Sequence, residues 1–225
     1  ELKQAYKELD TFFYRSSHDF RRPLTTFMGL AEVAKVIVKD EAALELFKKV
    51  DENARNLDRM LKKLQSISDL GTQELIFKEV FIRDLVIQEI EETKELLESK
   101  SIKVDLQIHH QLSFHTYSAL VHIIFRNLLE NSIAFSKPEG GNITIMGKEN
   151  KNGVEVEFSD DGLGIPFEYQ ERVFDMYFRA NENAKGNGLG LYIVKKAIQK
   201  LNGEIELISE EGVGTKLIIW LPNHP

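Results

Sequence analysis

The stretch SHDFRRPL, residues 17–24, places an imidazole, a carboxylate, two guanidinium groups and a proline within about two helical turns. An imidazole with an ordinary pKa of about 6.5 is largely neutral at pH 7 and is then a competent nitrogen nucleophile. If His18 attacked through Nε2, positive charge would develop on the ring, and Asp19 could stabilise it by accepting a hydrogen bond from Nδ1–H. Neighbouring helix residues do not normally face one another, so that contact requires a suitable rotamer. Arg21 and Arg22 lie three and four positions from His18 and share its helix face, where either can hold an incoming oxyanion or form a solvated basic patch. Pro23 has no N–H for the Asp19 carbonyl and its ring crowds that carbonyl, so the turn beside His18 is expected to bend or loosen. The other five histidines, His109, His110, His115, His122 and His224, have no such surroundings and read as ordinary surface or capped residues.

Four further signals follow in order: NLLEN (127–131) within a helical run, DDGLGIP (160–166) after a strand-like run, VFDMYFR (173–179), and GNGLGL (186–191) opening a helical run. Gly162 and Gly164 after a strand let the backbone approach a flat ligand. Gly186, Gly188 and Gly190 leave amides free at a helix N-terminus, where unpaired N–H groups and the helix dipole favour an anion. Each signal alone also describes a simple turn, and only the ordered set is specific.

Two kinds of element must position these groups. Residues 1–70 have helical periodicity: Leu2, Tyr6, Leu9 and Phe13, then Leu46, Val50, Asn53, Leu57, Met60, Leu64 and Ile67, recur at alternating spacings of three and four. Asp40 followed by Glu41 caps the second helix, so the connection at 37–41 is short and the two helices form an antiparallel hairpin. A hairpin alone has too little core. Two copies burying their stripes as a four-helix bundle give a homodimer, and packing on the second half of the chain is the alternative. After Gly71 the period changes to two at 102–108, 142–147, 153–159, 203–209 and 214–220, with helices expected at 82–99, 117–135 and 188–202. Several of these strands are joined by turns too short for crossovers, so the fold expected is an α/β sandwich with a mixed or mostly antiparallel sheet. The expected domains are 1–71 and 72–225.

Composition narrows the function classes. A net charge of −7 argues against a general nucleic-acid surface, which needs clustered excess Lys and Arg. The absence of cysteine excludes disulfides and thiolate metal sites. No apolar run approaches the roughly 20 residues that cross a bilayer. The chain opens without Met inside a helical pattern, so it is expected to be the cytoplasmic C-terminal part of a longer protein, with any membrane attachment lying upstream.

In this order the four signals resemble the ATP-binding domain of two-component sensor histidine kinases, part of the superfamily shared with gyrase and mismatch-repair ATPases. The resemblance covers about 112–222. It implies that Asp160 accepts the adenine amino group, that Gly162 and Gly164 shape the pocket, and that Asn127 lies near the phosphates. It also implies that Asn131 ligates Mg²⁺ and that Gly186, Gly188 and Gly190 wrap the triphosphate of ATP beneath a lid over about 168–187. A carboxamide suits that metal role, because its oxygen is a hard ligand and adds no charge to repel phosphate. Phe174, Tyr177 and Phe178 then help to seat the lid.

SHDFRRPL is similar to the phosphoacceptor motif of the same kinases, which extends the resemblance to nearly the whole chain. It implies autophosphorylation of His18, transfer to an aspartate of a response regulator, and a homodimer built by residues 1–70. Gyrase-type enzymes place a water-activating glutamate where this chain has Asn127, so transfer is favoured over hydrolysis. Arg22 stands where many relatives have Thr or Asn, which predicts weak phosphatase activity toward the partner. Ala134 stands where relatives often carry Lys or Arg near the phosphates, with Lys137 or Lys185 as candidate substitutes. The rival readings are a non-catalytic dimeric signalling module and a gyrase-like ATPase.

Overall fold

The computed structural model describes residues 2–72, 76–180 and 187–224, apart from the side chains of residues 2–18, 64 and 66–72. The chain divides into two compact units, Glu1–Gln73 and Glu74–Pro225.

The first unit is two helices, α1 (Leu2–Ile37) and α2 (Glu41–Thr72). Asp40 caps α2, its Oδ1 accepting the Ala43 amide at 2.8 Å. The hairpin buries Leu24, Ala31 and Ala34 from α1 and Ala54 from α2, and the three alanines allow close approach of the two helices. Asp51 is buried with them, and the Arg55 guanidinium at 3.0 Å, assisted by Lys35, holds its carboxyl below the ordinary range. The sequence stripe of α2 is not spent inside this hairpin. Leu46 is 64% exposed, and Val50 and Leu57 are also exposed, as are Phe20, Phe27, Leu30 and Val33 on α1. Two helices bury one stripe each against one another, and a second stripe stays outside. The stripe members Leu2, Tyr6, Leu9, Phe13, Leu64 and Ile67 have side chains outside the described set. The turn beside His18 is expected to bend or loosen; α1 stays helical through Pro23, whose ring is exposed. Around it, the Thr25 and Thr26 hydroxyls donate to the carbonyls of Arg21 and Arg22 at 3.0 and 3.2 Å.

The second unit is a two-layer α/β sandwich. Its five-stranded sheet has the order β2 (Ile102–Ile108), β4 (Gly141–Asn150), β5 (Gly153–Asp160), β7 (Gly214–Pro222), β6 (Glu204–Glu210). Only the β2–β4 pair is parallel, so the sheet is mixed as expected. Alternation decides which face is covered: Val154, Val156 and Phe158 of β5 and Leu217, Ile219 and Leu221 of β7 are buried, and their neighbours in sequence are not. The covering helices are α3 (Ile82–Glu92), α5 (Ser118–Ala134) and α6 (Gly190–Lys200).

Three features depart from the sequence expectations. The helix expected at 82–99 is two, α3 and α4 (Lys94–Ser99), because buried Thr93 turns its hydroxyl onto the Glu89 carbonyl at 2.8 Å and ends the first. A second small sheet pairs β1 (Lys78–Phe81) with β3 (Ser113–Thr116). Finally, Asn223 and His224 are stitched to β3, with the His115 amide donating to Asn223 Oδ1 at 2.6 Å and the His224 amide to the His115 carbonyl at 2.9 Å. The His224 ring stacks on Phe77 and its Nε2 donates to the Leu201 carbonyl, which fixes the tautomer. Among the described residues no helix is long and apolar enough to cross a membrane.

One buried charge ties α3 to α5. Glu89, 1% exposed, lies 2.9 Å from Arg126 Nε and 2.7 Å from His122 Nδ1, and Arg126 also reaches Glu92. Replacing Glu89 with Gln keeps the volume and removes the charge. Because Arg126 is about half exposed and retains Glu92, the expected loss is about 1–2 kcal/mol. Urea unfolding of the variant beside the wild type, at unchanged m-value, measures it.

Candidate functional site

The β5 end, the C-terminal half of α5 and the start of α6 converge around Asp160. Residue 160 ends β5, so its side chain leaves the sheet where the chain turns into the glycine loop. Asp160 Oδ2 accepts the Ser132 hydroxyl at 2.7 Å and Oδ1 accepts the Gly162 amide at 3.0 Å. Burial raises this carboxyl above its ordinary range, against the Ser132, Gly162 and Thr215 donors that favour its ionised form. Its neighbour Asp161 shifts the other way. Although partly desolvated, it takes the Asn142 amide and carboxamide at 2.7 Å each and is held below the ordinary range. Asp161 therefore braces β4 against the loop, while Asp160 is the acid kept at a cost, the pattern of a functional carboxylate.

The loop after Asp160 is built by glycine. Gly164 has φ +65°, and a Cβ there would collide with the Glu210 carbonyl. A Cβ on Gly162 would sit 2.7 Å from the Phe135 carbonyl, the same carbonyl that accepts the Leu163 amide at 3.0 Å. The loop is thus pressed onto the C-terminal end of α5, close to Asn131.

On α5, Asn127 is 6% exposed; its Nδ2 donates to the Ile123 carbonyl at 2.8 Å and its buried Oδ1 has no hydrogen-bond partner among the described residues. Asn131, one turn on, is half-buried with its carboxamide against Gly190: a Cβ on Gly190 would lie 2.7 Å from Asn131 Oδ1 and 3.0 Å from Nδ2. The expected Mg²⁺ ligand and the expected anion-binding glycine are therefore in contact, at the N-terminus of α6. Gly188 closes the approach at φ +68°, its carbonyl accepting the Tyr177 amide at 3.0 Å. Gly186 and Lys185 lie outside the described residues. Phe178 lies against Tyr169 with ring centres 5.8 Å apart and carries the Arg172 guanidinium over its other neighbourhood at 4.5 Å, while Phe174 lies under Lys195. Ala134 is exposed, and Lys137 contributes charge beside Asp161.

In the first unit, His18 is part of α1 and its side chain lies outside the described set; Asp19 and Arg22 are exposed. Arg21 turns instead to α2, its Nη2 donating to Gln65 Oε1 at 3.0 Å and its Nε lying 3.5 Å from Asp58. Of the two arginines offered as oxyanion holders, Arg21 is thus committed to the hairpin.

Residues 116–225 match the family described as histidine kinase-, DNA gyrase B-, and HSP90-like ATPase. The sensor histidine kinase YclK of Bacillus subtilis (strain 168) is 29% identical over 231 residues, covering 99% of this chain and 48% of that protein. Over nearly its whole length the chain is thus similar to sensor histidine kinases, and its second unit carries the ATPase-family match. The histidine protein kinase SaeS of Staphylococcus aureus (strain USA300) is 26% identical over 230 residues, with 98% of this chain and 66% of that protein covered. The fold agrees: a full-length ShkA structure in complex with AMPPNP superposes with a TM-score of 0.76 at 21% identity, covering 96% of this chain and 47% of that one. The chain spans about half the length of the first of these relatives and 66% of the second.

Sequence reasoning missed two residues of this site. Ser132 directly follows Asn131, but a helical serine usually bonds its own backbone and gives no signal of a distant partner. Asn142 is the second residue of β4 and was legible only as a strand residue.

Proposed function

We propose that this chain is a phosphotransfer core that binds Mg-ATP in its second unit, autophosphorylates His18 and passes the phosphoryl group to an aspartate of a response regulator. The observation that carries the reading is the convergence of Asp160, Gly162, Asn131 and Gly190 at one end of the sheet. Asp160 accepts the adenine amine, and the loop of Gly162 and Gly164 lies along the base. Asn127, with a buried oxygen unpaired among the described residues, and Asn131, with its carboxamide on Gly190, line the phosphate end. Among the described residues there is no group of three or more His, Asp or Glu able to hold a metal. One carboxamide oxygen together with phosphate oxygens is the hard, weakly charged set that Mg²⁺ takes, so the residues fit this ion. When bound, Mg²⁺ neutralises charge on the phosphates.

His18 Nε2 attacks the γ-phosphorus in line, the bond from that phosphorus to the β–γ bridging oxygen breaks, and ADP leaves. Asp19 holds the Nδ1 proton and offsets the ring's positive charge. The exposed apolar residues Phe20, Leu30, Leu46, Val50 and Leu57 support assembly of two hairpins into a four-helix bundle, which makes the core a homodimer. The site belongs on the cytoplasmic side, with any membrane attachment outside this segment. The similarity to sensor histidine kinases weighs against a non-catalytic module.

The test is incubation with γ-labelled ATP and Mg²⁺. Phosphate on imidazole gives label that is lost in acid and kept in alkali, and peptide mapping should place it on His18. Sustained phosphate release with no labelled protein would reject transfer in favour of hydrolysis. Asp19→Asn should slow labelling by about tenfold or more while ATP affinity changes less than twofold, as rapid-quench labelling and calorimetry would report.

A further inference from the structure

The adenine-accepting role proposed for Asp160 leaves open what fixes its carboxylate in the direction that role needs. Asp160 lies at a strand end, and a terminal carboxylate has two freely exchangeable oxygens and a broad χ2 well. Here the two oxygens are told apart. Oδ1 is fixed from its own loop by the Gly162 backbone amide at 3.0 Å. Oδ2 is fixed from another element altogether, by the Ser132 hydroxyl on α5 at 2.7 Å. Ser132 is itself 5% exposed, so its hydroxyl has no water to compete for it.

We infer that Ser132 is a positioning residue for nucleobase selection, holding the Asp160 carboxylate, through Oδ2, in the plane where it accepts the exocyclic amine of adenine. The inference rests on the proposed adenine role of Asp160. The hydroxyl acts in two ways. It removes the rotational freedom of the carboxylate before the nucleotide arrives, so that binding does not have to order it. As a donor to a desolvated carboxylate it also favours the ionised form, which accepts from an amine and repels the carbonyl of a guanine-type base. Ser132 also stands directly after Asn131 on α5, so one helical segment sets the base end and the phosphate end of the pocket.

The test compares two nucleotides by calorimetry: ATP, and purine riboside triphosphate, which lacks only the 6-amino group. The wild type should prefer ATP. Ser132→Ala should weaken ATP by about tenfold, the value of one charge-assisted hydrogen bond, and the analogue by less than twofold. A structural defect would weaken both alike. Ser132→Cys, which keeps the side-chain shape with a larger and poorer donor, should show a smaller split in the same direction and serves if the alanine variant does not fold. A wild-type preference for ATP with equal losses in both variants overturns the role of Ser132 alone. Equal wild-type affinities for the two nucleotides overturn the adenine reading, and this inference with it.

Discussion

Asp160→Asn should bind ATP about a hundredfold or more weakly while losing no stability in the absence of nucleotide. The binding loss has two sources. A carboxylate-to-amine hydrogen bond is replaced by a neutral one, and charged hydrogen bonds are worth about 1.5–3 kcal/mol, which is roughly 10–150-fold. The new amide also keeps a single acceptor oxygen, to be shared by the Gly162 amide and the adenine amine, while its N–H₂ faces the Ser132 hydroxyl, which can turn to accept. Stability runs the other way because burial raises the Asp160 carboxyl above its ordinary range. A group whose folded pKa exceeds its unfolded value gives its full contribution to stability below the unfolded pKa and loses it as pH rises through the folded pKa. At neutral pH the ionised Asp160 is therefore a cost to the free protein that asparagine removes. Calorimetric titration with ATP and thermal unfolding without it measure the two halves. A variant that unfolds at lower temperature than the wild type would show that Asp160 is a brace, in the manner of Asp161, and not a functional acid. The same direction predicts that wild-type affinity for ATP falls on mild acidification, at a pH above the usual carboxylate range, as Asp160 takes up its proton.

The fold was legible wherever one face of an element is buried and the other is not. Strands β4 to β7 alternate because only one face of the sheet is covered, and that alternation is written directly in Val154, Val156 and Phe158. Where pairing rests on few residues, the pattern fails: β1 and β3 have four residues each, too short for alternation to be told from chance. The break at Thr93 was hidden for another reason. It depends on a hydroxyl competing for a carbonyl, and a threonine inside an apolar helical period looks like any other β-branched residue. In the site, Asp160 and the glycines were legible because close backbone approach demands particular residue types at particular spacings. Ser132 and Asn142 in the site, like Glu89 and His122 between α3 and α5, were not, since each acts on a partner far away in sequence and nothing local marks it. The histidines show the same limit. His122 and His224 were read as ordinary and are structural, one on Glu89 and the other on the Leu201 carbonyl, but only the fold brings those partners to them.

Gly190→Ala should mimic Asn131→Ala, although residue 190 has no side chain to lose. Gly190 is the first residue of α6 and has no positive φ, so alanine meets no backbone penalty there and is the better helix former by about 1 kcal/mol. The obstacle is local. The new Cβ would lie 2.7 Å from Asn131 Oδ1 and 3.0 Å from its Nδ2, closer than such atoms approach, and the carboxamide must swing away. It is the far end of a short side chain, so the rotation costs little in stability and much in function, because the oxygen assigned to Mg²⁺ leaves its place. Both variants should therefore lose the increment in ATP affinity that Mg²⁺ adds, by about a hundredfold, while retaining metal-free nucleotide binding within about threefold. Titration of ATP with and without Mg²⁺ separates the two quantities, and the double variant Asn131→Ala with Gly190→Ala should lose no more than either alone, since both remove one interaction. A Gly190→Ala protein that keeps full Mg²⁺ dependence would detach Asn131 from the metal and assign the contact at α6 to packing alone.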